Sequence, residues 1–264
     1  MARAKRHYIP GQIWHITHRC HKREFLFKFS KDRHLWLQWL YQARKRYGLT
    51  ILNYIVTSNH IHLLVKDDGD RDTIPRSMQL IAGRTGQAYN QRKKRQGAFW
   101  EDRYHATAVE TGDHFLRCLV YIDLNMVRTG VVKHPAEWPF SGYNEIQNPK
   151  RKNILIHYKM LMELCGAASY EALKHDHKAL VEECLRADKQ ARDEKWTQSV
   201  AVGSQGYVER IKKQLGALAS GRTTRQTDET IYRLQEPHIS YNGLFRGEKN
   251  DIGGENGYIW DIFD

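Results

Sequence analysis

Long apolar runs are missing from this sequence of 264 residues, and cysteine is scarce. No run approaches the ~20 apolar residues that a membrane-spanning helix requires, so we expect no membrane partner. The basic start lacks the apolar stretch of a signal peptide. The four cysteines have no CxxC or zinc-finger spacing, which indicates reduced thiols in a cytoplasmic protein.

The net charge of +12 is distributed unevenly along the chain. Residues 1–50 contain twelve Lys and Arg against two acidic residues, residues 51–150 carry a net charge of +2, and residues 151–264 are neutral. A basic N-terminal part favours a polyanionic partner, and a solubilising surface is the alternative. Charge suggests nucleic acid without indicating what is done to it.

The apolar periodicity predicts the element order β-α-β-β-α-β-α in the first half of the chain. Strands are predicted at residues 12–19, 49–56, 60–66 and 104–110, with helices from Ser30 as N-cap to Gly48, over about 73–94, and from 111 onward. Four short strands can be buried only as one sheet backed by helices. We therefore predict an α+β, ferredoxin-like (RRM-like) antiparallel four-stranded sheet.

Three regions are expected along the chain. Residues 1–147 form the main domain, and an Asn-Pro-Lys-Arg-Lys stretch looks like a linker after it. Residues 148–216 show helical spacing of their leucines, which predicts a mainly helical C-terminal extension. Residues 217–264 are polar and dotted with glycine, so an irregular C-terminal tail is expected.

His60 and His62 lie two residues apart on a predicted strand. Side chains at i and i+2 of a strand project from one face, so the two imidazoles are presented side by side while Ile61 and Leu63 point to the core. Such a pair can hold a divalent metal from one rigid strand. For His-x-His alone, two polar-face histidines without any ligand are the commoner outcome.

A polar stripe marks the third predicted helix. Tyr121 and Asn125 stand at i and i+4, with Arg117 one turn earlier and Arg128 about one turn later. An isolated tyrosine in such a place is usually a half-buried packing residue. Polar neighbours on a helix otherwise built from Leu, Val and Ile favour a phenol held over a site, with the amide oxygen as an additional ligand.

Four ordered motifs carry a family resemblance. Residues 8–19, 53–65, 99–104 and 121–130 resemble, in that order, the first strand, the HUH strand, the Phe-Trp-x-x-Arg-Tyr element and the nucleophile helix of single-tyrosine HUH transposases. The chain is most similar to REP-associated tyrosine transposases of the insertion-sequence-200-like family. Met126 departs from the pattern, since many relatives have proline there, at a position beyond the chemistry.

The resemblance implies a chemistry and a substrate. His60, His62 and Asn125 would hold Mg²⁺ or Mn²⁺, and Tyr121 would attack a phosphodiester of single-stranded DNA to give a 5′-phosphotyrosine link and a free 3′-hydroxyl. The expected target is a hairpin of a palindromic repeat with adjacent single-stranded DNA. The expected protein is a bacterial, cytoplasmic and nucleoid-associated monomer or homodimer.

The basic N-terminal part and its aromatic residues are the candidates for DNA binding. The candidate residues are Arg3, Lys5, Arg6, Tyr8, Trp14, Arg19, Arg23, Arg103 and Arg117. His105 and His114 are candidate bases for the phenol proton, although the sequence does not identify one.

Two other functions fit parts of this pattern. A relaxase or rolling-circle initiator usually adds a third histidine or acidic ligand, or a second nearby tyrosine, and the predicted helix has only Tyr121. A nucleic-acid-binding protein that has lost the chemistry is the alternative from another class. Intact His60, His62, Tyr121 and Asn125 favour the enzyme.

Overall fold

The computed structural model describes residues 8–149, 151–187 and 193–235. Its strands are β1 (Ile13–Arg19), β2 (Thr50–Val56), β3 (His60–Lys66), β4 (His105–Val109), β5 (Ser199–Gly203), β6 (Thr223–Asp228) and β7 (Ile231–Gln235). Its α-helices are α1 (Ser30–Tyr47), α2 (Thr73–Lys93), α3 (Asp113–Asp123), α4 (Asn125–Arg128), α5 (Gly142–Gln147), α6 (Tyr158–Cys165), α7 (Tyr170–Arg186), α8 (Lys195–Gln198) and α9 (Gln205–Leu215). The predicted order of strands and helices in the first half is confirmed.

The sheet confirms the α+β prediction and is larger than the four strands expected. Its strand order is β2-β3-β1-β4-β5-β7-β6, and the first four strands are the antiparallel, ferredoxin-like unit. Strand β5 pairs with β4 in parallel, and β7 and β6 follow in antiparallel order. One strand of the C-terminal extension and two strands from the region after residue 217 therefore complete the sheet of the main domain, because β4 has a second edge that needs hydrogen-bond partners.

The region from residue 217 onward also differs from the expected irregular tail. Strands β6 and β7 form a hairpin there, and residues 236–264 lie outside the described residues. The division into three regions remains a prediction. Across the described residues, no helix combines the length and apolar character that crossing a bilayer requires.

Helix α1 shows how local sequence sets the ends of an element. Trp36, Leu40 and Ala43 are buried at helical spacing, and the helix ends where Gly48 adopts a left-handed φ of 73°. The start differs from the prediction. Phe29 is the N-cap residue and makes no side-chain cap, while Ser30 is already helical.

The predicted helix that carries the polar stripe is interrupted. It ends at Asp123, Leu124 has φ and ψ of −79° and 4°, and α4 begins at Asn125. The Leu124 N–H still donates to the Val120 carbonyl at 3.0 Å. Tyr121 and Asn125 consequently remain near one another although they belong to two helices.

A buried polar cluster fixes α3 against the sheet and the extension. His177 Nε2 lies 2.7 Å from Asp123 Oδ2, and Asn53 Nδ2 donates to Asp123 Oδ1 at 2.9 Å. Gln147 Nε2 lies 3.1 Å from His177 Nδ1. We call these four residues the His177 cluster. It ties α7 of the extension and β2 of the sheet to the helix that carries Tyr121.

Candidate active site

The pairing of β1 with β3 places the histidine pair at the centre of the sheet. The antiparallel register sets Thr17 opposite His62 and Arg19 opposite His60. His62 is 2% exposed and His60 is half-buried. As predicted from the alternation of a strand, the intervening Ile61 is fully buried in the apolar core.

His60 is held in one tautomer by the turn before β3. Its Nδ1 lies 2.7 Å from Asn59 Oδ1 and 3.0 Å from Thr57 Oγ1. The Thr57 hydroxyl donates to the His60 carbonyl at 2.8 Å, and Asn59 Nδ2 donates to the Arg23 carbonyl at 3.2 Å, so the Asn59 oxygen is an acceptor for the ring. A proton on Nδ1 follows, and Nε2 retains the lone pair that a metal needs.

His62 lies between another histidine and an amide. Its Nδ1 is 2.8 Å from His15 Nε2, and its Nε2 is 2.9 Å from Asn125 Nδ2. Burial, followed by the neighbouring His60, lowers the pKa of His62 well below its usual value. Burial likewise lowers the pKa of His15 to about 3. Both rings are therefore neutral, which is the form that binds metals.

Tyr121 lies over the histidines from α3. Its ring centroid is 5.9 Å from that of His62 and 6.1 Å from that of His15, edge to face in both cases. The Arg128 guanidinium carbon lies 4.1 Å from the centroid of the Tyr121 ring. Arg128 Nη2 also donates to the Tyr121 carbonyl at 2.6 Å. A phenol, two imidazoles and a guanidinium thus meet at one place.

A cleft of about 860 Å³ opens over this group of residues. Nine of its lining residues carry polar chemistry that bears on the prediction, namely Arg19, Arg23, His60, His62, Arg103, His105, Tyr121, Asn125 and Arg128. The structure therefore brings together the predicted nucleophile, the three predicted metal ligands and three of the predicted DNA-binding arginines.

Other predicted DNA-binding residues lie elsewhere. Trp14 is 5% exposed, and it shares a strand face with Ile16, opposite to His15, so its ring cannot stack on a base. The Tyr8 hydroxyl donates to the Gly69 carbonyl at 2.7 Å, away from the cleft.

Of the remaining candidates for DNA binding, one forms an ion pair and three precede the first described residue. Arg117 is half exposed and its Nη1 lies 4.0 Å from Asp228 Oδ2, outside the cleft. Arg3, Lys5 and Arg6 lie outside the described residues. The two candidate bases also separate, because His105 lines the cleft and His114 does not.

Sequence reasoning missed His15 and Trp196 and used Arg128 only as part of a stripe. The alternation of β1 puts His15, Thr17 and Arg19 on one face, and that signal was available once β1 was placed beside β3. Trp196 had no comparable signal. It reaches the site from α8 of the extension, with its ring centroid 6.1 Å from that of Tyr121.

The donor set fits a divalent metal. Asn125 Oδ1 is buried without a hydrogen-bond partner and belongs to the amide that contacts His62 Nε2. Residues 8–149, 151–187 and 193–235 contain no group of three or more His, Cys, Asp and Glu suited to a metal ion. The residues that would hold the ion are His60 and His62 through nitrogen and Asn125 through this amide oxygen.

Residues 9–125 match the family model described as IS200-like transposase. The match covers less than half of the chain and agrees with the resemblance carried by the four motifs. None of the curated proteins matches the chain.

The solved structures that are similar to the chain include the following two. One is a REP-associated tyrosine transposase bound to a REP hairpin, at 20% identity, covering 55% of this chain and 84% of that one, with a TM-score of 0.44. The other is a protein from Deinococcus radiodurans R1 assigned as a transposase, at 15% identity, covering 43% and 89% respectively, with a TM-score of 0.32.

Proposed function

We propose that the protein is a metal-dependent DNA strand transferase of the single-tyrosine HUH class. It binds single-stranded DNA that contains a hairpin, of the kind formed by palindromic repeats, and Tyr121 cleaves and rejoins the strand. It would act at the bacterial nucleoid. The observation that carries the proposal is the meeting of Tyr121, His60, His62 and Asn125 in one cleft.

The chain's own residues supply the nucleophile and the contacts of the reaction. The Tyr121 phenol oxygen forms a bond to phosphorus while the bond from phosphorus to the 3′-oxygen breaks. The phenol loses its proton, and the 3′-oxygen leaves with the electron pair and takes up a proton as a hydroxyl. Because the tyrosyl link is itself a phosphodiester, it conserves the energy of the bond that was broken, and the 3′-hydroxyl of another strand can reverse the step and join DNA.

His60, His62 and Asn125 would hold the metal, and Mg²⁺ and Mn²⁺ are the ions that the resemblance implies. A bound divalent ion supplies polarisation of the phosphate and stabilisation of charge on the leaving oxygen. Imidazole nitrogens suit Mn²⁺ better than Mg²⁺, so activity with Mn²⁺ is expected.

The cations around the cleft would hold the DNA backbone. Arg19, Arg23, Arg103 and Arg128 line the same cleft as the nucleophile. Arginine suits phosphate because its planar fork donates two parallel hydrogen bonds. These four side chains would draw a strand across Tyr121, and their attraction for phosphates would weaken with salt.

The test is covalent capture. The full chain is incubated with Mn²⁺ and an end-labelled single-stranded oligonucleotide that carries a repeat hairpin and its flanking bases. We expect a protein–DNA adduct that resists denaturation and is lost in Tyr121→Phe and in His60→Ala. Tyr41→Phe is the matched control, because Tyr41 lies on α1 outside the cleft, and it should react like the wild type.

Each other outcome assigns the protein differently. Cleavage that persists in Tyr121→Phe would remove the nucleophile from the proposal. Hairpin binding without an adduct at any Mn²⁺ concentration would favour the binding protein that has lost the chemistry. Equal reaction with strands that lack a hairpin would contradict the proposed substrate.

A further inference from the structure

A line of hydrogen bonds connects the C-terminal extension to the candidate metal site. The Trp196 carbonyl lies 2.8 Å from His15 Nδ1, and His15 Nε2 lies 2.8 Å from His62 Nδ1. The line ends where His62 Nε2 meets Asn125 Nδ2 at 2.9 Å. The rings of His15 and His62 are nearly parallel, with an interplanar angle of 11° and centroids 5.0 Å apart.

The groups at the two ends of this line determine which atom donates in each hydrogen bond. A carbonyl oxygen can only accept, so His15 Nδ1 carries a proton and donates to Trp196. At the other end, Asn125 Nδ2 can only donate, so His62 Nε2 accepts, and the acceptor for His62 Nδ1 is Nε2 of the fully buried His15. His62 Nδ1 must then donate to it, which leaves the lone pair of His62 on Nε2, on the side of Asn125.

We propose that His15 is a positioning residue that holds His62 in the tautomer with a proton on Nδ1, and that the Trp196 carbonyl of the extension anchors it. The tautomer of His62 is a property of the metal-free chain. Only the expected effect on metal affinity rests on the proposed function. A ring nitrogen that donates to a fixed acceptor makes the opposite nitrogen a better and better-oriented ligand.

The anchor itself is firmly placed. Trp196 is buried, and its carbonyl also lies 3.3 Å from Thr107 Oγ1 of β4. The same Thr107 hydroxyl lies 2.7 Å from the carbonyl of Ser199, at the start of β5. The parallel pairing of β4 with β5 then continues at Ala108 and Ala201. The extension is thus built into the site through its backbone.

Selective ¹⁵N labelling of histidine tests the proposal in the full chain without metal or DNA. Long-range ¹H–¹⁵N correlation reports which ring nitrogen of His62 is protonated, and a His62→Gln spectrum assigns the signals. Two substitutions of His15 are compared. His15→Phe removes the donor and the acceptor and keeps an aromatic ring, while His15→Gln keeps one donor and one acceptor. Titration of each protein with Mn²⁺ alone gives its Kd.

We expect His62 to be protonated on Nδ1 in the wild type and in His15→Gln. In His15→Phe the form protonated on Nε2 should appear, and the Kd for Mn²⁺ should rise by about 10- to 100-fold, as for other groups that orient a metal ligand. His15→Gln should restore most of that affinity. A merely structural role for His15 would leave the tautomer of His62 unchanged.

The proposal is overturned if His62 carries its proton on Nε2 in the wild type, or if its tautomer does not change in a folded His15→Phe. Should His15→Phe not fold, the wild-type and His15→Gln spectra decide, because Nε2 protonation in either contradicts the inference. If the tautomers follow expectation and no protein binds Mn²⁺, the proposed metal site is wrong while the role of His15 in setting the tautomer stands.

Discussion

Two buried histidines of this protein, His62 and His177, have similar exposure and different surroundings. Each is 2% exposed. His177 faces the carboxylate of Asp123 at 2.7 Å and the amide of Gln147 at 3.1 Å. His62 has no carboxylate in the hydrogen bonds that the structure gives it, and it contacts an imidazole and an amide.

The difference separates a histidine that closes a structure from one that can take a ligand. The Asp123 carboxylate and the Gln147 amide engage both ring nitrogens of His177, so the His177 cluster holds α3, α7 and β2 together and leaves the ring no lone pair for a metal. His62 is kept neutral by burial and by neighbouring histidines, and its Nε2 meets an amide that can turn its orphaned oxygen toward a cation. Burial of a histidine is therefore not informative until its partners are known.

The largest expected effect is a loss of stability in His177→Ala, set against a loss of Mn²⁺ binding in His62→Ala. His177→Ala removes the imidazole that lies 2.7 Å from the buried Asp123 carboxylate, and loss of one member of a buried pair costs about 3–5 kcal/mol of the free energy of unfolding. His62→Ala leaves no carboxylate without a partner, so it should lose less stability. Because it removes a proposed metal ligand, it should abolish Mn²⁺ binding. His177→Ala, where folded, should still bind Mn²⁺.

Urea unfolding and Mn²⁺ titration of both variants measure these two quantities. Asn53 also donates to Asp123, at 2.9 Å, so a double variant with Asn53→Ala should lose less than the sum of the two single losses. The comparison would be refuted if His177→Ala lost metal affinity as strongly as His62→Ala while keeping its fold.

The second prediction sharpens the comparison through pH. Burial lowers the pKa of His15 to about 3 and lowers that of His62 in the same direction. Below the ordinary histidine pKa of about 6.5, the unfolded chain binds protons that the folded chain excludes, so stability is complete above that pH and falls as the pH drops toward 3. Each such group contributes a slope of up to about 1.4 kcal/mol per pH unit.

The measurement is urea unfolding of the metal-free protein at several pH values between 7 and 4. His15→Gln removes one of the two groups, so its free energy of unfolding should fall less steeply with acid than that of the wild type. Parallel curves for the two proteins over this range would show that His15 can be protonated in the folded state.

The sequence was sufficient for the features that local patterns encode. Period-two alternation placed His60 and His62 on one face of a strand, and helical spacing gave α1 its buried residues and its end at Gly48. Parallel pairing of β4 with β5 joins residues about 90 positions apart. No local pattern records such a contact, so the sequence alone could not predict the seven-stranded sheet or the position of Trp196.

Trp14 and Arg117, both candidates for DNA binding, show a second reason why local patterns do not place every side chain. Each was assigned to DNA by its residue type, and residue type does not say which way a side chain points. Trp14 has the opposite parity to His15 on β1 and lies in the core. Arg117 precedes Tyr121 by one turn, and β6 supplies an aspartate that pairs with it. Its partner lies on β6, in the region from residue 217 onward, and no local pattern in the sequence records that pairing.

The smallest expected effect separates two arginines near the nucleophile. Arg128 lines the cleft over the Tyr121 ring, whereas Arg117 is half exposed outside it and pairs with Asp228. Arg128→Ala should weaken binding of a single-stranded hairpin oligonucleotide by about tenfold and should reduce the slope of log K against log salt by about 0.7, the value for one phosphate contact on a single strand. Arg117→Ala is the matched control and should change neither quantity. Fluorescence anisotropy over a salt series measures both, and equal losses in the two variants would mean that the DNA extends past the cleft along α3.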